Sequence, residues 1–246
     1  MTDQWISLRR FTQARIALGR AGHALPTGAL LDFQLAHAQA RDAVHFPWDI
    51  EAFAEEVQDI GSEALILETP VTERGEYLRR PDLGRMLTEE SRTRLRDLDA
   101  APADLALIVT NGLSSTAVKR HGIALLQQVL GGLRQRHYTA APVCLVANGR
   151  VALLDDIGSA LAARMAIIIV GERPGLSSPD SLGIYLTYAP QLGNTDAQRN
   201  CISNIRPPEG LSYQEAAAKL LQLVGEAMAR CLSGVELKDE TMRTIE

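Results

Sequence analysis

Residues 165–172, MAIIIVGE, constrain the fold more than any other stretch. Apolar residues follow one another from Met165 to Val170 with no polar alternate. A strand of this kind is buried on both faces, which requires helices above and below its sheet. Three other runs share the character: ADLALIVTN (103–111), APVCLVANG (141–149) and GIYLTYAP (183–190). Helical patterns separate them. One runs from NGLSS to about Arg136, a short one covers IGSALAAR (157–164), and one runs from Ser212 to about Cys231. The last opens on SYQE, a capping box in which Ser212 and Glu215 satisfy each other's backbone amides. Strands alternating with helices predict an α/β fold with a doubly wound, mostly parallel, Rossmann-like sheet over residues 101–246.

The first hundred residues read as a helical N-terminal region. LPTGALLDFQLAHAQARDAV carries apolar residues at Leu30, Leu31, Phe33, Leu35, Ala38 and Val44, with Pro26 where a first helical turn accepts it. DIEAFAEEVQDI and TEESRTRLRDL add two shorter helices, and LILETPVTERGEYLRRPDLG between them reads as an irregular connection. Only 4% of residues are aromatic against 46% hydrophobic, so the core is aliphatic. A net charge of −5 excludes a general binder of nucleic acid or anionic membrane. The arginines between Arg79 and Arg96 alternate with acids and read as a solvated or interface-facing helix. Cys144, Cys201 and Cys231 are too scattered for a disulfide framework or a metal knuckle, which fits a reducing cytosol. The N-terminal stretch has no apolar signal core, and no apolar run nears the roughly 20 residues a bilayer span needs.

In an open α/β sheet, ligands sit outside the carboxyl ends of the strands. Here those ends run into NGLSS, NGRV and GERPGLSSPDS, three polar glycine-bearing loops that suggest a cleft. The Walker loop, the Rossmann glycine fingerprint and the zinc-protease histidine pair are all absent. GLSST (112–116) lacks the last glycine of a nucleophile elbow, so Ser114 and Ser115 read as helix caps. No histidine has metal-ligand spacing; His37 reads as a packing residue, and His121 is placed to face the cleft. Glu172 ends an apolar strand, where its carboxylate needs a donor: an arginine such as Arg173, or a ligand hydroxyl or amide. Cys201 has no His or Lys nearby in sequence to activate it and reads as a small soft side chain. A stand-alone hydrolase or transferase using Ser114 or Cys201 remains the alternative to a ligand-binding domain without its own catalytic machinery.

FTQARIALGRAG, YLRRPDLGR, VTNGLSSTAV, GERPGLSSPDSLGIYLTYAP and DAQRNCISNIRPPEGLSYQEAA, in this order and with matching gaps, resemble the small subunit of ethanolamine ammonia-lyase from about Phe11 onward. The resemblance implies a lyase that converts ethanolamine to acetaldehyde and ammonia with adenosylcobalamin, the radical chemistry lying in a larger TIM-barrel subunit. It implies cofactor contacts at Val151, Glu172 and Cys201, and contacts between residues 1–100 and the large subunit. It also implies a heterodimer repeated into a higher oligomer. No Asp-x-His-x-x-Gly occurs, so the cofactor is expected base-on, its own base kept on cobalt. Some family members carry a longer N-terminal extension that directs them to a bacterial microcompartment. Only about ten residues precede the matching region here, so a cytoplasmic site is expected, with the compartment as the alternative.

Overall fold

The structure, a computed structural model, describes residues 5–98 and 103–237. Its sheet has six strands: β1 (Ala64–Leu67), β2 (Leu105–Thr110), β3 (Val143–Val146), β4 (Met165–Gly171), β5 (Leu182–Tyr188) and β6 (Asn200–Ile205). They lie side by side in the order β1-β3-β2-β4-β5-β6. The helices are α1 (Thr27–His45), α2 (Ile50–Asp59), α3 (Arg74–Arg79), α4 (Glu89–Arg96), α5 (Ser115–Gln135), α6 (Leu153–Ala160) and α7 (Tyr213–Arg230).

Every residue of β2, β3 and β4 is buried. Leu105, Leu107 and Val109 face a cluster built with α5, α7 and Phe53 and Val57 of α2. Ala106 and Ile108 face the opposite cluster, with Leu153, Leu154 and Ile157 of α6 and Leu95 of α4. Helices on both faces therefore account for the missing polar alternation. From β2 the chain steps through α5 to β3 on one side, and then through α6 to β4 on the other. The crevice between β2 and β4 is the point where the winding reverses.

The sheet is mixed, which corrects the expected mostly parallel, Rossmann-like arrangement. β1-β3, β2-β3 and β2-β4 pair in parallel, whereas β4-β5 and β5-β6 are antiparallel. The connection from Gly171 to Leu182 contains no helix to carry the chain back along the sheet, so β5 returns in the opposite direction. Two strands also lie where connections were expected. β1 falls in the stretch read as irregular and pairs with β3, joining the first hundred residues to the sheet. β6 buries only Ile202 and Ile205, a pattern too sparse for a buried strand. α6 begins at Leu153, one turn earlier than the sequence reading placed it.

The helix signals hold. Ser114 accepts from the Ala117 amide at 3.2 Å to cap α5, whereas Ser115, also read as a cap, is the first residue of the helix and accepts from Asn111 Nδ2 at 3.1 Å. Ser212 and Glu215 exchange bonds at 3.2 and 2.9 Å, closing the box that starts α7.

Candidate functional site

Backbone geometry joins the three loops before any side chain takes part. Gly112 has φ +50°, and a Cβ there would lie 2.3 Å from the Gly171 carbonyl oxygen. A Cβ on Gly171 would lie 2.2 Å from the Ser114 carbonyl oxygen. The Leu113 amide donates to the Gly171 carbonyl at 2.9 Å, so the loops after β2 and β4 meet main chain to main chain. The turn after β3 is tied in by side chains. Asn111 Oδ1 accepts from the Asn148 amide at 2.7 Å, and Thr110 Oγ1 accepts from the Gly149 amide at 2.9 Å.

Together the loops enclose a cleft of about 600 Å³, with Arg150, Val151, Glu172, Arg173, Tyr185 and Ser203 among its walls. Val151 leads into α6, whose first turn is held by two ion pairs. Asp156 takes a bidentate contact from Arg92 at 3.0 and 2.8 Å, and buried Asp155 pairs with buried Arg199. Arg92 is thus a structural anchor, not part of a solvated helix face. Desolvation raises the Asp155 pKa, and the Arg199 hydrogen bond opposes it.

Among the described residues Glu172 has no arginine partner, which corrects the ion-pair reading with Arg173. Its carboxylate accepts from the Ser181 hydroxyl at 2.7 Å, from the Ser203 hydroxyl, and from the Asn204 amide at 3.2 Å. The last bond depends on an irregularity: β5-β6 pairing slips between Leu182 and Ile184, and Asn204 adopts φ +60°. Such a bulge turns an amide out of the ladder, here toward the carboxylate.

Cys201 lies opposite Tyr185 across the β5-β6 pair, and Tyr185 lines the cleft. The structure thus brings Val151 and Glu172 into one cleft and sets Cys201 one side chain away from it. Desolvation raises the Cys201 thiol pKa, the Glu172 charge adds to this, and a hydrogen bond with Tyr185 opposes it. Such a thiol is a poor nucleophile at neutral pH. Ser114 is buried, caps α5 and donates to the Pro179 carbonyl at 2.8 Å, with no hydrogen bond to a base among the described residues. His121 is buried against Tyr213 and Asp180 rather than facing this cleft, and His37 is exposed and stacked on Phe33. Among the described residues, no group of three or more His, Cys, Asp or Glu is placed to hold a metal ion. The site is equipped to bind and orient a polar ligand.

Residues 2–238 match the family model described as Ethanolamine ammonia-lyase light chain (EutC). The chain belongs to this family. It is 57% identical over 241 residues to the ethanolamine ammonia-lyase small subunit of Azotobacter vinelandii, covering 97% of this chain and 89% of that one. The small subunit of Pseudomonas putida F1 is 56% identical, covering 97% and 88%. That of Xanthomonas campestris pv. campestris is 54% identical, covering 99% and 90%. The chain is accordingly a lyase component, and an ethanolamine ammonia-lyase small subunit implies a large-subunit partner.

Three residues of the site escaped the sequence reading. Tyr77 sits in the stretch read as irregular, is fully buried, and donates to the Gly149 carbonyl at 3.0 Å. Arg150 lay unremarked beside Val151, and Tyr185 looked like an ordinary strand residue. A buried aromatic in a chain with few of them was the available signal for Tyr77. Nothing in the sequence marked the other two.

Proposed function

We propose that this chain binds adenosylcobalamin in the cleft beyond β2, β3 and β4 and holds it against the catalytic large subunit of ethanolamine ammonia-lyase. The observation that carries the reading is one cleft containing both Val151 and Glu172, with Cys201 behind Tyr185 at its edge. The residues present fit the group. Arg150 Nε is buried without a partner, and a Cβ on Gly183 would lie 3.0 Å from Glu172 Oε1, so glycine leaves the carboxylate its room. Ser178, Ser181 and Ser203 add hydroxyls to the same walls. A guanidinium, a carboxylate and hydroxyls suit the amides, hydroxyls and phosphate at a corrinoid's periphery.

When bound, the cofactor supplies the radical chemistry through its cobalt–carbon bond. The chain's own residues bind and orient it. Glu172 accepts from the ligand, the glycine-bearing loops let backbone approach it, and Val151 and Tyr185 give it apolar surface. The open side of the cleft is left for the large subunit, read as a TIM barrel, in a heterodimer repeated into a higher oligomer. The chain has no Asp-x-His-x-x-Gly whose histidine would replace the cofactor's own base, so its residues would hold the cofactor base-on. The enzyme is placed in the cytoplasm, with a bacterial microcompartment as the alternative.

The test is co-expression with the large subunit and spectroscopic titration of wild-type and Glu172→Gln complexes with adenosylcobalamin. Loss of a charge-assisted hydrogen bond weakens binding about tenfold or more while assembly survives. Acetaldehyde forms from the complex and not from this chain alone. Turnover by the isolated chain overturns the division of labour. Unchanged affinity with a large loss of thermal stability makes Glu172 only a tie between β4 and β6.

A further inference from the structure

Arg150 in the cleft wall and Arg74, which shares the Tyr77 ring with it, lack a counter-charge among the described residues. The Arg150 and Arg74 guanidiniums both pack on the Tyr77 ring, 4.1 and 4.7 Å from its centroid. Arg74 donates to the Val44 carbonyl at 2.8 Å and to Asn148 Oδ1 at 2.9 Å, while its Nη2 is buried without a partner. Arg150 donates through Nη2 to the Tyr77 carbonyl at 3.0 Å; its Nε is buried and unpartnered. Neither makes an ion pair among the described residues. Desolvation lowers the Arg74 pKa, and the nearby Arg150 charge lowers it further. Glu172, the one carboxylate among the described residues of the walls, is occupied by hydroxyls and an amide. Arg173, in the same walls, makes no ion pair among the described residues either. This surplus of positive charge occurs in a chain of net charge −5.

We propose that Arg150, braced by Tyr77 and Arg74, forms a subsite for a phosphodiester. The inference rests on the cobalamin reading above, in which that group is the phosphate of the cofactor's nucleotide tail. Packing against Tyr77 and the bond to its carbonyl hold the guanidinium in place, so little side-chain entropy is lost on binding an anion. A planar fork matches phosphate oxygens better than a point charge does. The occupant that competes with this one is a carboxylate from the large subunit.

The experiment titrates wild-type, Arg150→Gln and Arg150→Lys complexes with three probes: cobalamin, cobinamide phosphate and cobinamide. Cobinamide has the corrin ring but neither phosphate nor base. Arg150→Gln weakens cobalamin and cobinamide phosphate about tenfold or more and leaves cobinamide within about twofold. Arg150→Lys falls between, and shows whether charge alone suffices should the glutamine variant fold poorly. An equal loss for all three probes, or none, overturns the subsite while the cofactor reading stands. Failure of the wild-type complex to bind cobalamin removes the cofactor reading itself. Failure of Arg150→Gln to assemble with the large subunit assigns the arginine to the partner's carboxylate and overturns the proposal.

Discussion

His121 shows how far a residue's role depends on what is packed around it. Its Nδ1 lies 2.8 Å from the Tyr213 hydroxyl, while its Nε2 is 3.6 Å from Asp180, too far for a hydrogen bond. Desolvation lowers its pKa; the Asp180 charge opposes this, and Arg120 and Arg206 reinforce it. The unfolded chain therefore takes up a proton near pH 6.5 that the folded chain still refuses. Stability is full above that pH and falls as pH drops through it toward the folded value. Urea midpoints at pH 7.5 and 5.5 should separate more for the wild type than for His121→Gln. Equal separation would show that this histidine contributes nothing to the pH dependence.

Among the elements, the meeting of the loops after β2 and β4 is the most demanding. Gly171→Ala places a Cβ 2.2 Å from the Ser114 carbonyl and 2.4 Å from that of Asn111, both backbone atoms that cannot swing aside. Ser212→Ala removes only a cap from α7, worth about 1 kcal/mol. Thermal unfolding should drop by roughly 2–4 °C for Ser212→Ala. Gly171→Ala should drop much further or fail to give soluble protein. A Gly171→Ala variant as stable as Ser212→Ala would mean the crossing relaxes at little cost. The loop sequence GERPG showed that something special happens here, but not that glycine serves a backbone crossing. The atoms it would strike belong to residues some 60 positions earlier.

For the whole molecule, most of the exposed large apolar side chains among the described residues lie in the N-terminal part. α1 buries only Ala36 and Ala43, and Leu30, Leu31, Phe33 and Leu35 are exposed. Trp5, Ile6, Leu8 and Phe11 ahead of it are exposed as well. Under the proposed function, the large subunit covers these exposed apolar side chains. Leu31→Ser with Leu35→Ser should reduce co-purification of the large subunit while leaving the isolated chain's unfolding temperature nearly unchanged. A loss of stability with intact assembly would place these leucines in the fold instead. A helix forms where the sequence predicted α1, but its exposed apolar residues do not say which neighbour covers them.

What the sequence determined by itself was local. The unbroken apolar runs of β2, β3 and β4, the caps at Ser114 and Ser212, and the polar loops at the strand ends follow from burial and from short-range hydrogen bonding. Both are written within a few residues. Glu172 was legible from its place at the end of an apolar strand, Val151 only through motif resemblance, and the structure put both in one cleft. Only the tertiary structure decided the rest. β5 runs antiparallel because no helix intervenes after β4. β1 and β6 are edge strands, recognisable only through their partners. Glu172 is held by Ser203 and Asn204, about 30 residues away, instead of by the arginine next to it. The Arg74-Tyr77-Arg150 stack joins segments more than 70 residues apart. Contacts of that range depend on how the chain closes on itself, and no local pattern encodes that closure.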